Sequence, residues 1–284
     1  MSERGKKIVF FSILAIALLF DFFLWKKIFT LHGASSLEVY FLNVGQGDST
    51  LVRFPSGATM LVDAGRPGSL NLGELNSFLS GGYIDLIVMS HPDLDHFGGI
   101  VDVINTFKVG AFVSSGRKSD GAEFLELQDA LEESGVASIV VNEGDAFRID
   151  NNTVAVLAPS FSEALSGEQN DSSVVLYVDT EGLDVLIMGD ASTAVEERLV
   201  SEYDVKVDVL RVGHHGSDTS SSEKFLLEAF PAFSIISVGE NSYGHPTSEV
   251  LRRLMSVSRV FRTDERGTLL VREAHGEVEV LKAR

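Results

Sequence analysis

SHPDLDHFGG, residues 90–99, directly follows YIDLIVM, residues 83–89, an apolar run typical of a buried strand. Four potential metal ligands stand within six of its residues: His91, Asp93, Asp95 and His96. Because the backbone is irregular at a strand end, neighbouring side chains can point to different sides. The first His and Asp could therefore converge on one ion while the second pair turns to another. Imidazole and carboxylate ligands without thiolate suit zinc, and equally manganese or iron. A polar surface loop is the alternative, and it explains the two histidines poorly.

Three other apolar runs end in polar side chains: Asp63 in MLVDAG, Asp190 in LIMGD, and His214 with His215 in VLRVGHHGS. Functional groups gather outside such strand ends in open α/β sheets. Each aspartate alone could simply cap the helix that follows it, but four polar strand ends favour one shared site. Two weaker candidates are the NDSS stretch with Asn170 and Ser173, which an ordinary turn explains equally well, and the YGHP stretch with His245.

Composition narrows the class of protein. The chain has 284 residues, of which 44% are hydrophobic, and it has no cysteine. That apolar fraction excludes a disordered chain. The missing cysteine excludes disulfide scaffolds, thiol nucleophiles, iron–sulfur clusters and thiolate zinc sites. The formal net charge of −18 argues against a protein that coats nucleic acid by bulk charge.

The N-terminal stretch differs from the rest of the chain. Residues 8–25 read IVFFSILAIALLFDFFLW, 18 positions with one charge at Asp21, and basic residues flank them on both sides. A helix that spans a bilayer needs about 17–25 mostly apolar residues. We predict that residues 1–33 are a retained single-pass membrane anchor and linker, with residues 34–284 extracytoplasmic. A cleaved signal peptide would begin similarly, but no small-residue cleavage site follows. A buried helix is the third alternative.

Residues 34–284 are predicted to form one α/β domain of two packed sheets with helices outside, because strand-like runs and helical patterns alternate without a linker-like break. The runs EVYFLNV, STLVRF and ATMLVDAG follow one another closely and predict an antiparallel opening. Helices are predicted over LNLGELNSFL, over AEFLELQDALEESG, over residues 193–203 and 223–230, and from a Thr247 or Ser248 cap to Met255.

The order of five motifs resembles the metallo-β-lactamase superfamily: FLNVGQGDSTLV, LVDAG, SHPDLDHFGG, LIMGD and RVGHHGS. Within it, the chain is most similar to the C-terminal extracellular hydrolase domain of the ComEC proteins of DNA uptake and to the related phosphorylcholine esterases. The resemblance covers residues 37–272. It implies a four-layer αββα sandwich with a hydrolytic site for one or two metal ions. Nothing here resembles the multi-span channel region of ComEC, so a transport role does not carry over.

The resemblance implies a role for each matching position. The implied metal ligands are His91, Asp93, Asp95, His96, Asp190 and His215, where Asp190 would bridge two ions. The implied catalytic groups are Asp95, Asp190, His214 and His245, of which the last two would hold the phosphate and protonate the leaving oxygen. The remaining positions are Asp63, which would orient a ligand His, Gln46 and Asp48, which would shape the floor, and Asn170 with Ser173. The chain departs from the family because no histidine lies between His96 and His214, and Asn170 stands at the counterpart of the missing one.

The predicted function is hydrolysis of a phosphodiester assisted by one or two divalent ions, zinc or manganese. The resemblance points to single-stranded DNA as substrate. However, residues 1–33 hold five basic and two acidic side chains, so the rest of the chain carries a net charge of −21. Residues 251–284 hold eight basic side chains against five acidic ones, which could guide a strand. A small head-group phosphodiester is the runner-up substrate, and a lactone or β-lactam the third. A metal-poor, membrane-tethered binding module is the alternative of another class, and no obligate protein partner is inferred.

Overall fold

The computed structural model describes residues 36–283. Residues 1–35 and Arg284, and with them the predicted membrane segment at residues 8–25, lie outside the described residues. Among residues 36–283, no helix combines the length and the apolar composition needed to cross a bilayer.

The described residues form two mixed β-sheets. The first has eight strands: β1 (Glu38–Phe41), β2 (Thr50–Arg53), β3 (Thr59–Val62), β4 (Tyr83–Val88), β5 (Lys108–Ser114), β6 (Ala137–Val140), β14 (Leu269–Ala274) and β15 (Glu277–Lys282). The second has seven: β7 (Ala146–Ile149), β8 (Asn152–Ala158), β9 (Val175–Asp179), β10 (Val185–Ile187), β11 (Val209–Arg211), β12 (Phe233–Ile236) and β13 (Arg259–Arg262). Their spatial orders are β15-β14-β1-β2-β3-β4-β5-β6 and β13-β12-β11-β10-β9-β8-β7.

Helices connect the strands and cover the outer faces of the sheets. In the described residues they are α1 (Leu72–Phe78), α2 (Leu94–Phe97), α3 (Ile100–Thr106), α4 (Ala122–Ser134), α5 (Phe161–Ser166), α6 (Thr193–Glu202), α7 (Glu223–Ala229), α8 (Ser248–Val257) and α9 (Thr263–Arg266). A short 3₁₀ turn lies at Asn170–Ser172, and Gly213–Gly216 form a tight turn with two left-handed residues.

Local signals fix the ends of several predicted helices. The side chain of Asn71 accepts a hydrogen bond from the Glu74 backbone N–H at the start of α1. Helix α4 ends at Gly135, whose φ of 68° is a left-handed cap. The Thr247 side chain caps α8 by accepting from the Val250 N–H, as predicted, although that helix continues two residues past Met255. The structure confirms these three predicted helices. A local sequence pattern can predict them because each cap residue lies within one turn of its hydrogen-bond partner.

Alternating residues of β1 show how the layers form. Val39 and Phe41 point between the sheets, where they join one apolar cluster with Ile187 of β10. Tyr40 points outward and stacks on Phe78 of α1, with ring centroids 4.2 Å apart. A third cluster buries α6, α7 and α8 against the outer face of the second sheet. The predicted order of helix, sheet, sheet and helix layers is therefore confirmed.

Four strands that are consecutive along the chain, β5 to β8, lie where the sequence analysis predicted none. All four residues of β6 are exposed, and β7 alternates between exposed and partly buried positions. Such strands give a weak apolar signal. The run VAVLA in β8 is buried at most positions, and its apolar pattern could have identified it. The predicted antiparallel opening is confirmed, because β2 pairs antiparallel with both β1 and β3.

Candidate metal centre

Parallel strands in both sheets carry the predicted polar groups to one place. Strands β3 to β6 run parallel in the first sheet, and β10 to β13 run parallel in the second. The carboxyl ends of parallel strands share an edge of their sheet. The two edges meet at His96, whose Nδ1 lies 2.8 Å from Asp63 Oδ2 and whose Nε2 lies 3.3 Å from Asp190 Oδ1.

A close backbone approach brings the HPDLDH loop onto the turn after β3. The Gly99 N–H donates to the carbonyl of Gly65 at 2.9 Å. A Cβ on Gly99 would overlap the carbonyl oxygen of Ala64, so a larger residue there would push the two loops apart. The glycine pair of SHPDLDHFGG thereby allows Asp63 to reach His96.

Asp63 and Ser90 orient two histidines at once. The Asp63 carboxylate accepts from the Ser90 backbone N–H at 2.8 Å and from the Ser90 hydroxyl at 2.6 Å. It also faces His96 Nδ1, which must donate because an ionised carboxylate can only accept. Since the Ser90 hydroxyl hydrogen goes to Asp63, its oxygen accepts from His91 Nδ1 at 3.0 Å. Both imidazoles therefore turn their Nε2 atoms toward the centre.

His215 is oriented in the same way by the second sheet. Its Nδ1 donates to the backbone carbonyl of Ser237, which follows β12, at 2.9 Å. His214 and His215 both have left-handed backbone angles, with φ of 48° and 52°, and Asp63 has φ of 59°. Non-glycine residues in this region store strain of order 1–3 kcal/mol each, and such strain is concentrated at functional sites.

Unpaired nitrogen and oxygen atoms converge in the space that these residues enclose. His215 Nε2 lies 3.7 Å from Asp190 Oδ2 and 3.7 Å from Asp95 Oδ2. Two overlapping groups, His91 with His96 and Asp190, and Asp95 with His96 and His215, each have ligand atoms within 4.8 Å of one another. The Nε2 atoms of all three histidines and Asp190 Oδ1 are buried without a hydrogen-bond partner. Buried polar atoms are rarely left unpaired, and imidazole with carboxylate is the donor set that zinc and manganese accept, so these residues fit a divalent metal ion.

The charges at the centre decide which ligand atoms are free of protons and so available to a metal ion. Burial opposes the ionised form of Asp190, but His96 and His215 outweigh it and hold the pKa of Asp190 well below its ordinary value. Burial also opposes the charged form of His96, yet Asp190 and Asp63 raise the pKa of His96 well above the ordinary value. Burial lowers the pKa of His215, which favours the neutral imidazole. Asp190 is therefore ionised at neutral pH, and a metal ion would compete with a proton for His96 Nε2.

The structure places Asp93 at the more open side of the centre, where two amides lie close by. Asp93 Oδ2 lies 3.5 Å from His91 Nε2, and its Oδ1 accepts from the Gln169 side-chain amide. The neighbouring amide of Asn170 faces His214 Nδ1 at 3.4 Å instead. Gln169, which the sequence analysis did not single out, is thus the amide that contacts a predicted ligand. The assignment of Asn170 to the position of the missing histidine stays a prediction.

A buried ion pair forms the floor of the centre. Arg211, at the end of β11, is fully buried and pairs with Asp48 of the GQGDS turn. Its Nη1 donates to the carbonyl of Gly189 at 2.5 Å and lies 3.8 Å from Asp190 Oδ1. Gln46 of the same turn accepts from the Gly239 N–H at 3.3 Å. The predicted floor residues therefore contact the second sheet, and their function stays a prediction.

Ser173 and His214 lie on the remaining sides. The Ser173 hydroxyl accepts from the Asp190 backbone N–H at 3.0 Å and so fixes the turn that carries this carboxylate. His214 Nε2 lies 3.8 Å from Asp190 Oδ2, and its ring contacts that of His245, with centroids 5.4 Å apart. Burial, followed by the charge of His214, lowers the pKa of His245, so its neutral imidazole is favoured.

Several residues at the centre were missed by the sequence analysis: Arg66, Ser90, Gln169, Arg211 and Ser237. Arg66 lies at the surface, with its Nη2 3.9 Å from Asp95 Oδ2. A lone Arg in a buried strand, as in VLRV, is a detectable signal, because an unpaired charge is rarely buried. Ser237 contributes only its backbone carbonyl, for which no sequence signal exists.

Comparison with known proteins gives an independent test of the family. Residues 42–239 match the model of the metallo-beta-lactamase superfamily. ComE operon protein 3 of Bacillus subtilis is 35% identical over 261 residues, which cover 84% of this chain and 33% of that protein. Competence protein ComA of Neisseria gonorrhoeae is 32% identical over 248 residues, or 85% of this chain and 33% of that protein. The chain thus spans about one third of the length of these relatives, which are ComEC-like.

The fold is also found among solved structures. The metallo-beta-lactamase fold protein YhfI from Bacillus subtilis superposes with a TM-score of 0.58 over 84% of this chain and 100% of its own, at 12% identity. At this identity the likeness concerns the fold alone. Together with the match over residues 42–239, it agrees with the two-sheet architecture described above. This chain therefore belongs to the metallo-β-lactamase superfamily.

Proposed function

We propose that this chain is a metal-dependent phosphodiesterase. The superfamily is one of metal-dependent hydrolases, and what carries the proposal is the set of unpaired buried atoms that converge at the strand ends. His91, His96 and Asp190 would hold one ion, with Asp93 beside it. Asp95, His96 and His215 form the second group, in which Asp190 also lies close. Divalent ions in such sites act as Lewis acids and lower the pKa of water toward neutrality.

The residues around this centre suit a phosphate group. Arg66 is a half-exposed cation at the rim, where its guanidinium can bind two phosphate oxygens. His214 lies beside Asp190 at the opening, in reach of a leaving oxygen on a substrate bound there. The lowered pKa of His245 suits a hydrogen-bonding imidazole better than a charged phosphate clamp. Arg66 would therefore share the clamping role that the sequence analysis gave to His214 and His245.

A DNA strand is the preferred substrate, with contacts limited to a few nucleotides. The resemblance to the hydrolase domain of the ComEC proteins of DNA uptake favours DNA over a small ester, and one relative is named a competence protein. Bulk attraction is weak, however, because three C-terminal arginines are already paired: Arg252 with Glu249, Arg262 with Asp264, and Arg272 with Glu279. A protein that contacts few phosphates binds with a shallow salt dependence. We therefore infer that local contacts at the metal centre select the substrate.

Parallel assays with bis(p-nitrophenyl) phosphate and labelled single-stranded DNA test the proposal, with zinc and manganese each supplied. Both substrates should be cleaved, and both activities should be lost on chelation and in Asp190→Asn. The matched control is Asp129→Asn, which changes an exposed residue of α4 and should leave both rates unchanged. Full activity in metal-stripped protein would refute the metal mechanism. Cleavage of the small ester alone would refute the nuclease and support a head-group esterase.

A metal-poor binding module is distinguished by its metal content. If the centre is catalytic, purified protein should hold at least one equivalent of zinc or manganese by elemental analysis. His91→Ala with His96→Ala should abolish this content. Stoichiometric metal near zero in the unaltered chain, after incubation with either ion, would instead support the binding module.

We further propose that residues 8–25 anchor the chain in a membrane and that residues 34–284 are extracytoplasmic. The support is the 18-residue apolar run with its basic flanks. Carbonate extraction of membranes should leave the full chain in the pellet and release a variant that lacks residues 1–33. Release of both proteins would contradict the anchor.

A further inference from the structure

An aromatic side chain stands exposed beside the metal centre. Tyr243 is 66% exposed, and its ring stacks on that of His245, with centroids 5.8 Å apart and 28° between the planes. The His245 ring contacts His214, which in turn lies beside Asp190. These three rings form a continuous path from the carboxylate at the centre to the surface.

The loop that carries Tyr243 is held by one amide side chain. Asn241 Oδ1 accepts from the backbone N–H groups of Tyr243 and His245, both at 3.1 Å. Its Nδ2 donates to the carbonyls of Gly239 and His245, at 2.9 Å and 2.8 Å. All of the usual donor and acceptor positions of this amide are therefore used to fix the loop.

Both ends of the same loop are fastened to the metal centre. At one end, Gly239 packs so closely on the backbone of Gly45 that a Cβ would overlap it, and its N–H donates to Gln46. At the other end, the Thr247 N–H donates to the carbonyl of Gly216, next to His215, at 3.0 Å. Tyr243 thus stands at a fixed distance from the predicted ligands.

We propose that Tyr243 is a stacking platform for a nucleobase next to the scissile phosphate, an inference that rests on the phosphodiesterase function proposed above. The Tyr243 ring remains 66% exposed on a preorganised loop and gains little burial from the fold, so its uncovered apolar face is available to a ligand. In a nucleotide the base stands one sugar away from its phosphate, which matches a ring beside rather than inside the centre. Stacking on tyrosine accepts every base and is worth about 1–3 kcal/mol per base.

The geometry favours a flat base over a quaternary ammonium head group. Recognition of a quaternary ammonium typically uses a cage of several aromatic rings. Here His245 covers one side of the Tyr243 ring, and the phenol is left with one open face. A single open face suits a planar partner, and the head group is kept as an outcome of the test.

Three substrates test whether Tyr243 binds a nucleobase or a quaternary ammonium head group: a thymidine dinucleotide, the same dinucleotide with an abasic sugar in place of one nucleoside, and p-nitrophenyl phosphorylcholine. kcat/KM is measured for each with the full chain, Tyr243→Phe, Tyr243→Ala and the control Tyr83→Ala, whose residue lies at the opposite end of β4 from His91. We expect Tyr243→Ala to lower the preference for the dinucleotide over its abasic form roughly 5- to 150-fold. Tyr243→Phe and Tyr83→Ala should keep that preference.

An equal loss on the dinucleotide and its abasic form would overturn the proposal, because Tyr243 would then only position His245. A loss confined to the choline ester would also overturn it and assign the ring to a head group. If the unaltered chain cleaves none of the three, the phosphodiesterase function fails, and calorimetric binding of thymidine dinucleotide to the same variants still tests the platform. Binding that weakens in Tyr243→Ala but not in Tyr243→Phe would support it, and binding that is absent or indifferent to Tyr243 would refute it.

Discussion

Replacement of Arg211 by methionine is the sharpest test of how the centre is built. Arg211 is fully buried, and its guanidinium pairs with Asp48, donates to the carbonyl of Gly189 and lies 3.8 Å from Asp190. Methionine fills a similar length without charge. The variant therefore leaves the carboxylate of Asp48 buried without the guanidinium that it pairs with, while the packing of β11 is largely preserved.

The expected cost follows from this burial. Removal of one partner of a buried ion pair lowers the free energy of unfolding by about 3–5 kcal/mol. For a chain of this size the corresponding fall in Tm is about 6–20 °C. Asp48→Asn in the same chain removes the stranded charge, so the double variant should be more stable than the two single changes predict. A coupling energy of about 1–3 kcal/mol is expected.

Urea denaturation followed by circular dichroism, in buffer with chelator, measures these energies without a contribution from bound metal. The control is Arg252→Met, because Arg252 is exposed and pairs with Glu249 at the surface, where such pairs contribute about 0–1 kcal/mol. The reasoning would be refuted if Arg211→Met lowered the free energy of unfolding by less than about 1 kcal/mol. It would also be refuted if the effects of Arg211→Met and Asp48→Asn on that free energy were strictly additive. Arg211 would then be a packing residue and not the counter-charge of the floor.

Three further substitutions test other contacts that position the centre or stabilise the fold. Asp63→Asn takes away an acceptor that holds His96 Nδ1, so metal affinity measured by competition with a chelator should fall about 10- to 100-fold, and an unchanged affinity would contradict this role. The buried carboxylate of Glu196 accepts one hydrogen bond from the N–H of Ser221 and one from that of Ser222, and Glu196→Gln places an NH₂ group against one of these two donors. The free energy of unfolding should fall by about 1–3 kcal/mol in thermal denaturation, whereas a change within error would show that the bonds are dispensable. Gly99→Ala forces a methyl group onto the carbonyl of Ala64 and should lower stability by about 1–3 kcal/mol. The control is Gly121→Ala, whose Cβ would meet its nearest neighbour only at 3.5 Å, and equal losses in the two variants would contradict the overlap.

Sequence patterns could predict the members of the centre because each stands at the end of an apolar run. His91, Asp190 and His215 follow β4, β10 and β11, and the strand signals that precede them are strong and local. The helix caps at Asn71 and Thr247 were predictable for the same reason, since a cap and its partner lie within one turn. The exposed strand β6 was missed because it has no buried face to give an apolar pattern.

The partners of these side chains could not be predicted in this way. Asp93 meets Gln169 and not Asn170, and Asp48 meets Arg211 across the two sheets. These contacts depend on how the sheets pack, which no local pattern encodes. The eight basic residues over 251–284, which could guide a strand, include three arginines that pair with neighbouring acidic groups, so their count overstated the charge available to a substrate.

The sequence by itself indicated a two-sheet α/β domain and the candidate residues at its strand ends, because apolar periodicity and the polar residues that end each run are local properties of the chain. The order of five motifs, compared with known sequences, indicated the family. Only the tertiary structure decided which imidazole nitrogen faces the centre, which cation neutralises its floor and where Tyr243 stands. The reason is physical: Ser237 and Asp63 accept hydrogen bonds from the histidines, and Gln46 accepts one from the loop of Tyr243, across pairs that lie far apart along the chain.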